Sequence, residues 1–417
     1  MKSNEKALAF FLCLLFLFTG CSLSSPKGII MDVTPEPKKL TLMVYMAADN
    51  ELESNALKNL KAMEKADYEG INVLVLLDRS EGYDETDGDW TDTRLFEVVH
   101  DSGNGNNIIS KRLDCPPLGL SSSVQTELDT GDMTVLERFI EFCKESYEAE
   151  KYALIIWGHG GGWSSFAFDD RTLTAMSVKN LGRAVEGKNL CVIGFDTCCG
   201  GAIENIYELK DAASYITASP GMTPSEGWNY KMLLEELDDD DIEPKDIASA
   251  MCRSSSVTAC VFKTSEVKTL FESLEDFARE VSLTVTDSQS RQDTFETLFS
   301  SKSYSDKTYP CDMFIDIRCM AGQFTSSQSQ ALKSAAVNLV QAVDDAVRTI
   351  DGSAPVTGVN FIPLESANIT ATSHVREYIK DPSSRTQCSF VKQSEWWVPT
   401  TGGNSGSLLD KLFYTVF

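Results

Sequence analysis

The sequence predicts an α/β fold in which a mostly parallel central sheet is covered by helices on both faces. Between positions 40 and 218, short and continuously apolar segments alternate with segments whose apolar residues recur at helical spacing. Continuous apolar segments are typical of strands that are buried on both faces, as they are between two layers of helices. The 417 residues, of which 42% are hydrophobic and 24% charged, are enough for a large core.

The apolar segments also predict the order of the elements. We expect buried strands at 40–47, 71–77, 152–157, 190–195 and 213–218, and a strand at or near a sheet edge at 94–99. We expect helices at 52–63, with Asn50 as the candidate N-cap, and at 134–147, 178–185 and 202–210. Right-handed crossovers bring the carboxyl ends of parallel strands to one edge, where open α/β sheets form their sites.

The later part of the chain carries fewer signals. Two amphipathic segments, 267–285 and 330–347, predict helices that pack a second half of the molecule against the sheet. Residues 366–417 show no clear pattern and are treated as a separate C-terminal segment. The cysteines are scattered along the chain, so most are expected to be small buried hydrophobic residues. Some disulfides are an alternative, and the sequence does not indicate which cysteines would pair.

The N-terminus has the pattern of an export signal. Lys2 and Lys6 precede an apolar run at 7–18, which is too short for a membrane span and right for a signal peptide. The run ends at Gly20-Cys21, which is typical of a bacterial lipoprotein signal with lipidation at Cys21. We therefore predict a lipoprotein signal peptide at 1–20 and a Ser/Pro-rich tether at 21–38, with a membrane anchor at the cell surface or in the periplasm. An ordinary secretory signal and an uncleaved anchor are the alternatives.

Charge and histidine content exclude two classes of function. The net charge of -25 opposes binding to nucleic acid, and no basic patch offsets it. Only three histidines are present, His100, His159 and His374, so a histidine-rich metal centre is excluded.

Two glycine-rich segments contain the candidate catalytic residues. His159 and Cys198 each follow a predicted strand and are one strand–helix–strand repeat apart. If the two strands are neighbours, the imidazole and the thiol project into one crevice, as a Cys–His nucleophile pair requires. A packing histidine and a core cysteine are the alternatives, and the adjacent Cys199 is a less favoured nucleophile because its side chain should point away.

The chemistry accounts for these residue types. The thiolate is the nucleophilic form of cysteine, and a nearby imidazole or helix N-terminus favours it. His159 can protonate the leaving amine as a general acid. The backbone N–H groups of Gly160 and Cys198 are the expected oxyanion donors.

These motifs resemble the clostripain family of cysteine peptidases, relatives of caspases, gingipains and legumain. The resemblance is carried by Trp157 to Trp163 (WGHGGGW) and Phe195 to Cys198 (FDTC). It extends to segments at 42–50, 128–134, 218–230 and 358–363. It implies a caspase-like three-layer α/β/α sandwich at 39–365, with its catalytic core at 39–230 and additional C-terminal α/β elements.

The resemblance also implies a Cys198–His159 dyad that needs no cofactor for its chemistry and cleaves after Arg or Lys. Asp196 stands at the family's acidic position and would lie at the base of the pocket for the substrate cation, and Glu226 would add a second carboxylate. A capping role for Asp196 and a solvated loop charge at Glu226 are the alternatives. Pro220 and Gly221 stand where many relatives have acidic residues, so part of the pocket wall differs.

Two further properties come from relatives. Some relatives mature by self-cleavage between the two motifs, and Arg171 is the most loop-like candidate among Arg171, Lys179, Arg183 and Lys188. Clostripain itself uses calcium, so calcium is a candidate cofactor here. The acidic run Asp238 to Asp241 has no EF-hand spacing and is more simply a solvated loop.

The predicted function is that of a surface-anchored cysteine endopeptidase that acts on proteins or peptides with basic residues and contacts the membrane through a lipid anchor. The main alternative is a catalytically inactive relative that acts as a binding or scaffold lipoprotein. A cysteine-dependent enzyme acting on non-peptide amides is a further alternative.

Overall fold

The structure is a computed structural model that describes residues 37–103, 105–301, 314–350, 357–360 and 388–394 and the single positions 408 and 412. The predicted signal peptide, the lipidation site at Cys21 and nearly all of the tether lie outside these residues. Within the described part of the chain, no helix is long and apolar enough to cross a membrane. Most of the cysteines that the structure describes are buried, as expected from their scattered positions.

A nine-stranded sheet forms the centre of the molecule. Its strands, in chain order, are β1 (Lys38–Ala48), β2 (Ile71–Arg79), β3 (Thr93–Glu97), β4 (Lys111–Leu113), β5 (Ala149–Trp157), β8 (Leu190–Asp196), β9 (Ala213–Ala218), β10 (Cys260–Lys263) and β12 (Val347–Arg348). Two small two-stranded sheets accompany it: β6 (Ser165–Asp169) with β7 (Thr174–Ser177), and β11 (Phe314–Asp316) with β13 (Gly358–Asn360).

The order of the strands in the sheet determines where a crevice can form. The sheet runs β12-β10-β9-β8-β5-β1-β2-β3-β4. The five strands from β9 to β2 are parallel, while the two strands at each edge are antiparallel. The chain leaves β1 towards β2 and later returns to its other side through β5, so the order reverses between β1 and β5. A crevice at the carboxyl ends of strands is expected at such a switch point.

Helices cover both faces of this sheet. They are α1 (Glu53–Glu64), α2 (Met133–Ser146), α3 (Val178–Val185), α4 (Ile203–Glu208), α5 (Tyr230–Leu237), α6 (Pro244–Ser254), α7 (Thr264–Thr284), α8 (Ser288–Phe299), α9 (Ile317–Gly322), α10 (Gln330–Ala346) and α11 (Ser389–Gln393). Side-chain caps begin several of them: Asp132 caps α2, Ser177 caps α3 and Asn229 caps α5.

Strand β1 shows why its sequence is continuously apolar. Met43, Tyr45 and Ala47 face one core, and Leu42 and Val44 face the other. The first core is covered by α2, α3, α4, α7 and α10, and the second by α1, α5 and α6. Since each face of the strand meets a layer of helices, both sets of alternating positions must be apolar. The predicted three-layer α/β/α sandwich is therefore confirmed.

The additional C-terminal elements join the same molecule. Helices α7 and α10 pack against each other, and α11 lies against α4. Phe390 of α11 is fully buried and stacks edge-on against Tyr207 and Phe271. The described part of the C-terminal segment thus contributes to the first core.

Several predicted helix boundaries differ from those in the structure, among them the start of α7 at Thr264 instead of 267. Helix α1 begins at Glu53, and Asn50 is not its N-cap, because the Asn50 Oδ1 atom accepts a hydrogen bond from the Leu52 N–H at 3.1 Å in a turn before the helix. The Asn50 amide instead donates to Phe168 O at 3.0 Å. The helix predicted at 202–210 is shorter, at Ile203–Glu208, because the chain turns at Leu209 to enter β9.

Candidate active site

Three loops meet at the carboxyl ends of β1, β5 and β8. They contain Glu51, His159 and Cys198 respectively, and all three residues line one cleft of about 370 Å³. Asp196 at the end of β8 lines the same cleft. The structure therefore brings together His159, Cys198 and Asp196, three of the predicted site residues.

The two motif loops touch through glycines. Trp157 pairs with Asp196 in the parallel register of β5 and β8, and the Gly158 N–H donates to Asp196 O at 3.3 Å. A methyl group at Gly160 would lie 2.1 Å from Cys198 O, so no larger residue fits between the loops without displacing them. This close approach is the physical reason for glycine beside His159.

The Cys198 loop is fixed by backbone contacts. The Cys198 Sγ lies 3.4 Å from the Thr223 nitrogen and 3.6 Å from the Thr223 oxygen. Cys199 has a φ of 55°, a left-handed conformation that is costly for a residue with a Cβ atom, and its side chain is buried in the core. The chain therefore directs Cys198 to the cleft and Cys199 away from it.

Asn205 supports this loop from beneath. Its buried amide donates to Cys199 O at 3.3 Å and to Gly200 O at 3.2 Å. Both bonds hold carbonyl groups of the strained turn that follows the nucleophile candidate. Sequence reasoning missed Asn205 because only the fold brings the start of α4 under the loop.

His159 contacts Glu51, a residue that was not among the predicted site residues. Its Nε2 atom lies 3.0 Å from the Glu51 Oε1, and its ring meets Phe168 edge-on at 6.1 Å. The Nδ1 atom has no hydrogen-bond partner among the residues the structure describes. Both side chains of the His159–Glu51 pair are substantially exposed, so their interaction orients the ring and is worth only about 0.2–1 kcal/mol.

The backbone N–H of Gly160, one of the two predicted oxyanion donors, makes no hydrogen bond in the bridge beside it. Gly160 forms an isolated antiparallel bridge with Phe166, in which the Gly161 N–H donates to Ser165 O at 2.8 Å. The Gly160 N–H is not used by this bridge. It lies on the loop that touches Cys198, where a developing oxyanion would need a donor.

Asp196 is a buried carboxyl group, and one of its two oxygens accepts hydrogen bonds from the protein. Its Oδ2 accepts hydrogen bonds from the Trp228 N–H at 3.0 Å and the Tyr230 hydroxyl at 2.9 Å. Its Oδ1 and the nearby Trp157 Nε1 have no hydrogen-bond partner among the described residues. Burial raises the pKa of Asp196 to about 7, although these two hydrogen bonds oppose the shift.

Glu226 does not enter the cleft. Its side chain is exposed, and its backbone oxygen accepts a hydrogen bond from the Asn59 amide at 2.9 Å. Gly227, the next residue, lines the cleft in its place, and a methyl group added to it would lie 2.7 Å from the Asp196 Oδ2. Gly227 has a φ of 71°, a left-handed conformation that favours glycine.

The family model for the clostripain family matches residues 44–396, which include every residue of this cleft. This chain belongs to the clostripain family of cysteine peptidases. The match extends over most of the chain, and it confirms the family that the two motifs predicted.

Individual relatives agree with this family assignment. Clostripain of Hathewaya histolytica is 27% identical over 227 residues, which is 48% of this chain and 42% of clostripain. The match thus spans less than half the length of that curated relative.

Solved structures of family members share the fold of this chain. A secreted cysteine protease of Bacteroides thetaiotaomicron, solved with an irreversible peptide inhibitor, is 18% identical with a TM-score of 0.57, and the match covers 82% of this chain and 97% of that protein. An inactive zymogen protease of Parabacteroides distasonis is also 18% identical, with a TM-score of 0.56 over 79% of this chain and 94% of that protein. At these identities the likeness concerns the fold, which is the predicted caspase-like sandwich.

Arg171 of this clostripain-family chain lies in the exposed turn between β6 and β7. Its guanidinium pairs with Glu127 at 3.1 Å and donates to Thr91 O at 3.3 Å. Leu173 in the same turn is 88% exposed. Lys179 and Arg183, by contrast, belong to α3, and Lys188 pairs with two glutamates.

The acidic run and a second acidic group lie in different surroundings. Asp238 accepts hydrogen bonds from the backbone N–H groups of Glu69 and Gly70, and the rest of the run is exposed.

A buried group of three carboxylates, Asp49, Asp78 and Asp169, offers oxygens within 4.8 Å of one another. Sequence reasoning missed this group because its members come from three separate places: the loop after β1, strand β2 and the end of β6.

Proposed function

We propose that this chain is an exported cysteine endopeptidase in which Cys198 is the nucleophile and His159 is the general acid and base. The observation that carries the proposal is the convergence of Cys198, His159 and the buried Asp196 on one cleft at the switch point of the sheet. The family assignment supplies the reaction class, peptide hydrolysis through a cysteine.

The first half of the reaction forms an acyl-enzyme. The Cys198 thiolate attacks the carbonyl carbon of the scissile peptide bond, and the oxyanion is stabilised by the Gly160 N–H. As the intermediate collapses, the carbon–nitrogen bond breaks and His159 gives its proton to the leaving amine. The product of this step is a thioester on Cys198.

The second half regenerates the enzyme. His159 removes a proton from a water molecule, which attacks the thioester carbonyl carbon, and the sulfur leaves as the thiolate. Glu51 stabilises the orientation of the imidazole through Nε2, so that Nδ1 stays available for proton transfer. Because the Glu51 pair is exposed and weak, the chemistry depends on two residues and Glu51 acts through His159.

The specificity that Asp196 supports is cleavage after Arg or Lys. Its Oδ1 is buried, lacks a donor among the described residues and lies at the cleft, so a guanidinium or ammonium group would supply the missing hydrogen bond and charge. A neutral side chain in the same place would leave this carboxyl group unpaired.

A peptide profile tests both the activity and the specificity. Fluorogenic peptides that differ only in the residue before the scissile bond should be cleaved after Arg and Lys, and Cys198→Ala should lower kcat/KM by at least about 10⁴-fold. Cys199→Ala is the matched control and should retain activity, because Cys199 is buried away from the cleft. If wild type and Cys198→Ala are equally silent on a broad peptide library, the chain is an inactive binding relative.

We propose in addition that a lipid on Cys21 holds the enzyme at a membrane, on the basis of the N-terminal sequence pattern alone. Replacement of Cys21 by serine should move the enzyme from the membrane fraction to the soluble exported fraction without changing its specific activity. A wild-type protein that is already soluble after export would contradict the anchor and leave the peptidase proposal intact.

A further inference from the structure

The base of the cleft contains one buried acceptor and one buried donor that the described residues leave without a hydrogen-bond partner. The acceptor is the Asp196 Oδ1, and the donor is the Trp157 Nε1. The two side chains are almost fully buried, at 4% and 2% exposure, and both line the cleft. Because a buried polar atom without a partner is costly, these atoms favour a ligand that offers a hydrogen bond to each of them.

The two groups lie close together beside Gly227. Trp157 and Asp196 are partners in the parallel register of β5 and β8. A methyl group added to Gly227 would lie 2.7 Å from the Asp196 Oδ2 and 3.1 Å from the Trp157 Nε1, so both groups border the same small space. A substrate side chain that reaches the Asp196 carboxyl group therefore also comes near the indole N–H.

Asp196 can offer a substrate cation one of its two oxygens. A carboxylate oxygen has two lone pairs, and those of Oδ2 accept from the Trp228 N–H at 3.0 Å and the Tyr230 hydroxyl at 2.9 Å. The N–H groups of an arginine side chain form a fork that binds a carboxylate best when both oxygens are available. Arg therefore loses at this site the bidentate contact that normally favours it over Lys.

The indole N–H of Trp157 distinguishes the two cations further. Arg and Lys side chains carry donors and no acceptor, so neither can pair with this N–H. A water molecule can, because it accepts from the indole, donates to the Asp196 Oδ1 and still has a lone pair for a substrate ammonium group. The bulkier guanidinium takes the space of this water and leaves the indole N–H unpaired.

We propose that this pocket prefers Lys over Arg before the scissile bond, and that Trp157 and Tyr230 determine the preference. The inference rests on the proposed peptidase activity and adds to it which of the two basic side chains is favoured. Trp157 acts by holding a water molecule that a lysine ammonium group keeps and a guanidinium displaces. Tyr230 acts by occupying an oxygen that a bidentate guanidinium contact would need. A substrate that leaves buried polar groups of the site unpaired is strongly disfavoured.

Two fluorogenic peptides that differ only in Lys or Arg before the scissile bond test the preference. For wild type, we expect kcat/KM to be at least about fivefold higher for the Lys peptide. Trp157→Phe keeps an aromatic ring but removes the N–H, so the Lys-to-Arg ratio of kcat/KM should fall at least about threefold. Trp90→Phe is the matched control: it removes a buried indole that lies outside the cleft, and it should leave the ratio unchanged.

Tyr230→Phe is a second variant that tests the other half of the proposal, and it also serves if Trp157→Phe does not fold. It frees a lone pair on the Asp196 Oδ2, which lies beside Gly227 at the cleft. The Lys-to-Arg ratio should therefore fall in this variant as well, because the guanidinium regains a second oxygen. A purely structural role of either residue would lower kcat/KM for both peptides equally and leave the ratio as it is in wild type.

A wild-type ratio of one or less would overturn the proposed preference, and so would a ratio that neither variant changes. Both outcomes leave the peptidase activity intact, since the two peptides are cleaved in each of them. Absence of cleavage of both peptides by wild type would instead overturn the proposed function, and the preference with it.

Discussion

At the scale of single residues, Asp196 shows how burial prepares a carboxyl group for a cationic ligand. Burial raises its pKa to about 7, so near neutral pH a substantial fraction of this group is uncharged in the free protein. Because Asp ionises near pH 4 in the unfolded chain, the free energy of unfolding falls as the pH rises from about 4 to about 7, and the loss is complete above that range. A bound Arg or Lys would supply the charge that offsets this cost.

The raised pKa of Asp196 predicts a pH-dependent preference for Arg over citrulline, its neutral analogue, before the scissile bond. Above about pH 7 Asp196 is ionised and attracts the guanidinium, and below that pH it becomes neutral. The ratio of kcat/KM values for the two peptides should fall about tenfold from about pH 8 to about pH 6. The ratio removes the titration of the dyad, which affects both peptides equally.

The matched variants are Asp196→Asn and Glu226→Gln. Asp196→Asn should remove both the Arg preference and its pH dependence, whereas Glu226→Gln should change neither, because Glu226 is exposed outside the cleft. An unchanged preference in Asp196→Asn would show that Asp196 serves only to cap the Trp228–Tyr230 turn.

At the scale of elements, the distance between the β5 and β8 loops determines whether His159 and Cys198 can cooperate. The strands are neighbours in parallel register, and Gly160 lets the loops approach. The left-handed conformation of Cys199 then turns the second loop back into the core. Small shifts in this arrangement move the thiol relative to the imidazole.

Gly160→Ala tests this arrangement. The added methyl group would lie 2.1 Å from Cys198 O, so one loop must move, and we expect kcat/KM to fall about 100-fold with little loss of secondary structure. Gly322→Ala, where no atom lies within 4 Å of the added group, is the control and should retain activity. Equal activities of the two variants would show that the loops need not touch.

At the scale of the whole molecule, the sheet holds together chain segments on both sides of the β6–β7 turn. Strands β1, β2 and β5 precede the turn, and β8 and β9 follow it, yet β5 and β8 are hydrogen-bonded neighbours. A cut in the turn would therefore leave both fragments in one folded unit.

We accordingly propose that the enzyme cleaves itself after Arg171 and that both fragments stay associated. Incubated wild type should yield a fragment that begins at Thr172 and copurifies with the N-terminal part, while Cys198→Ala stays intact. Arg171→Gln should block this cut, and Lys188→Gln, whose lysine is paired with two glutamates, should not. Identical fragment patterns in wild type and Cys198→Ala would rule out self-cleavage.

The predictability of the site differed from residue to residue. His159 and Cys198 could be paired from the sequence because each follows an apolar strand and the two strands are one repeat apart. Glu51 and Asn205 could not be found in this way, since their contacts cross between loops that the sequence does not connect. The predicted role of Glu226 in the pocket stays a prediction, and the structure shows only that its side chain is exposed and lies outside the residues that line the cleft.

The layers, the strands and the two motif loops could be predicted from local composition, because burial on two faces imposes a continuously apolar pattern on each strand. Which loops meet at the switch point and which carboxyl groups are buried together became apparent in the folded structure alone. Asp49, Asp78 and Asp169 illustrate the difference: each is an ordinary acidic residue in the sequence. Their closeness arises from strand order and loop packing, and these depend on long-range contacts that no local pattern encodes.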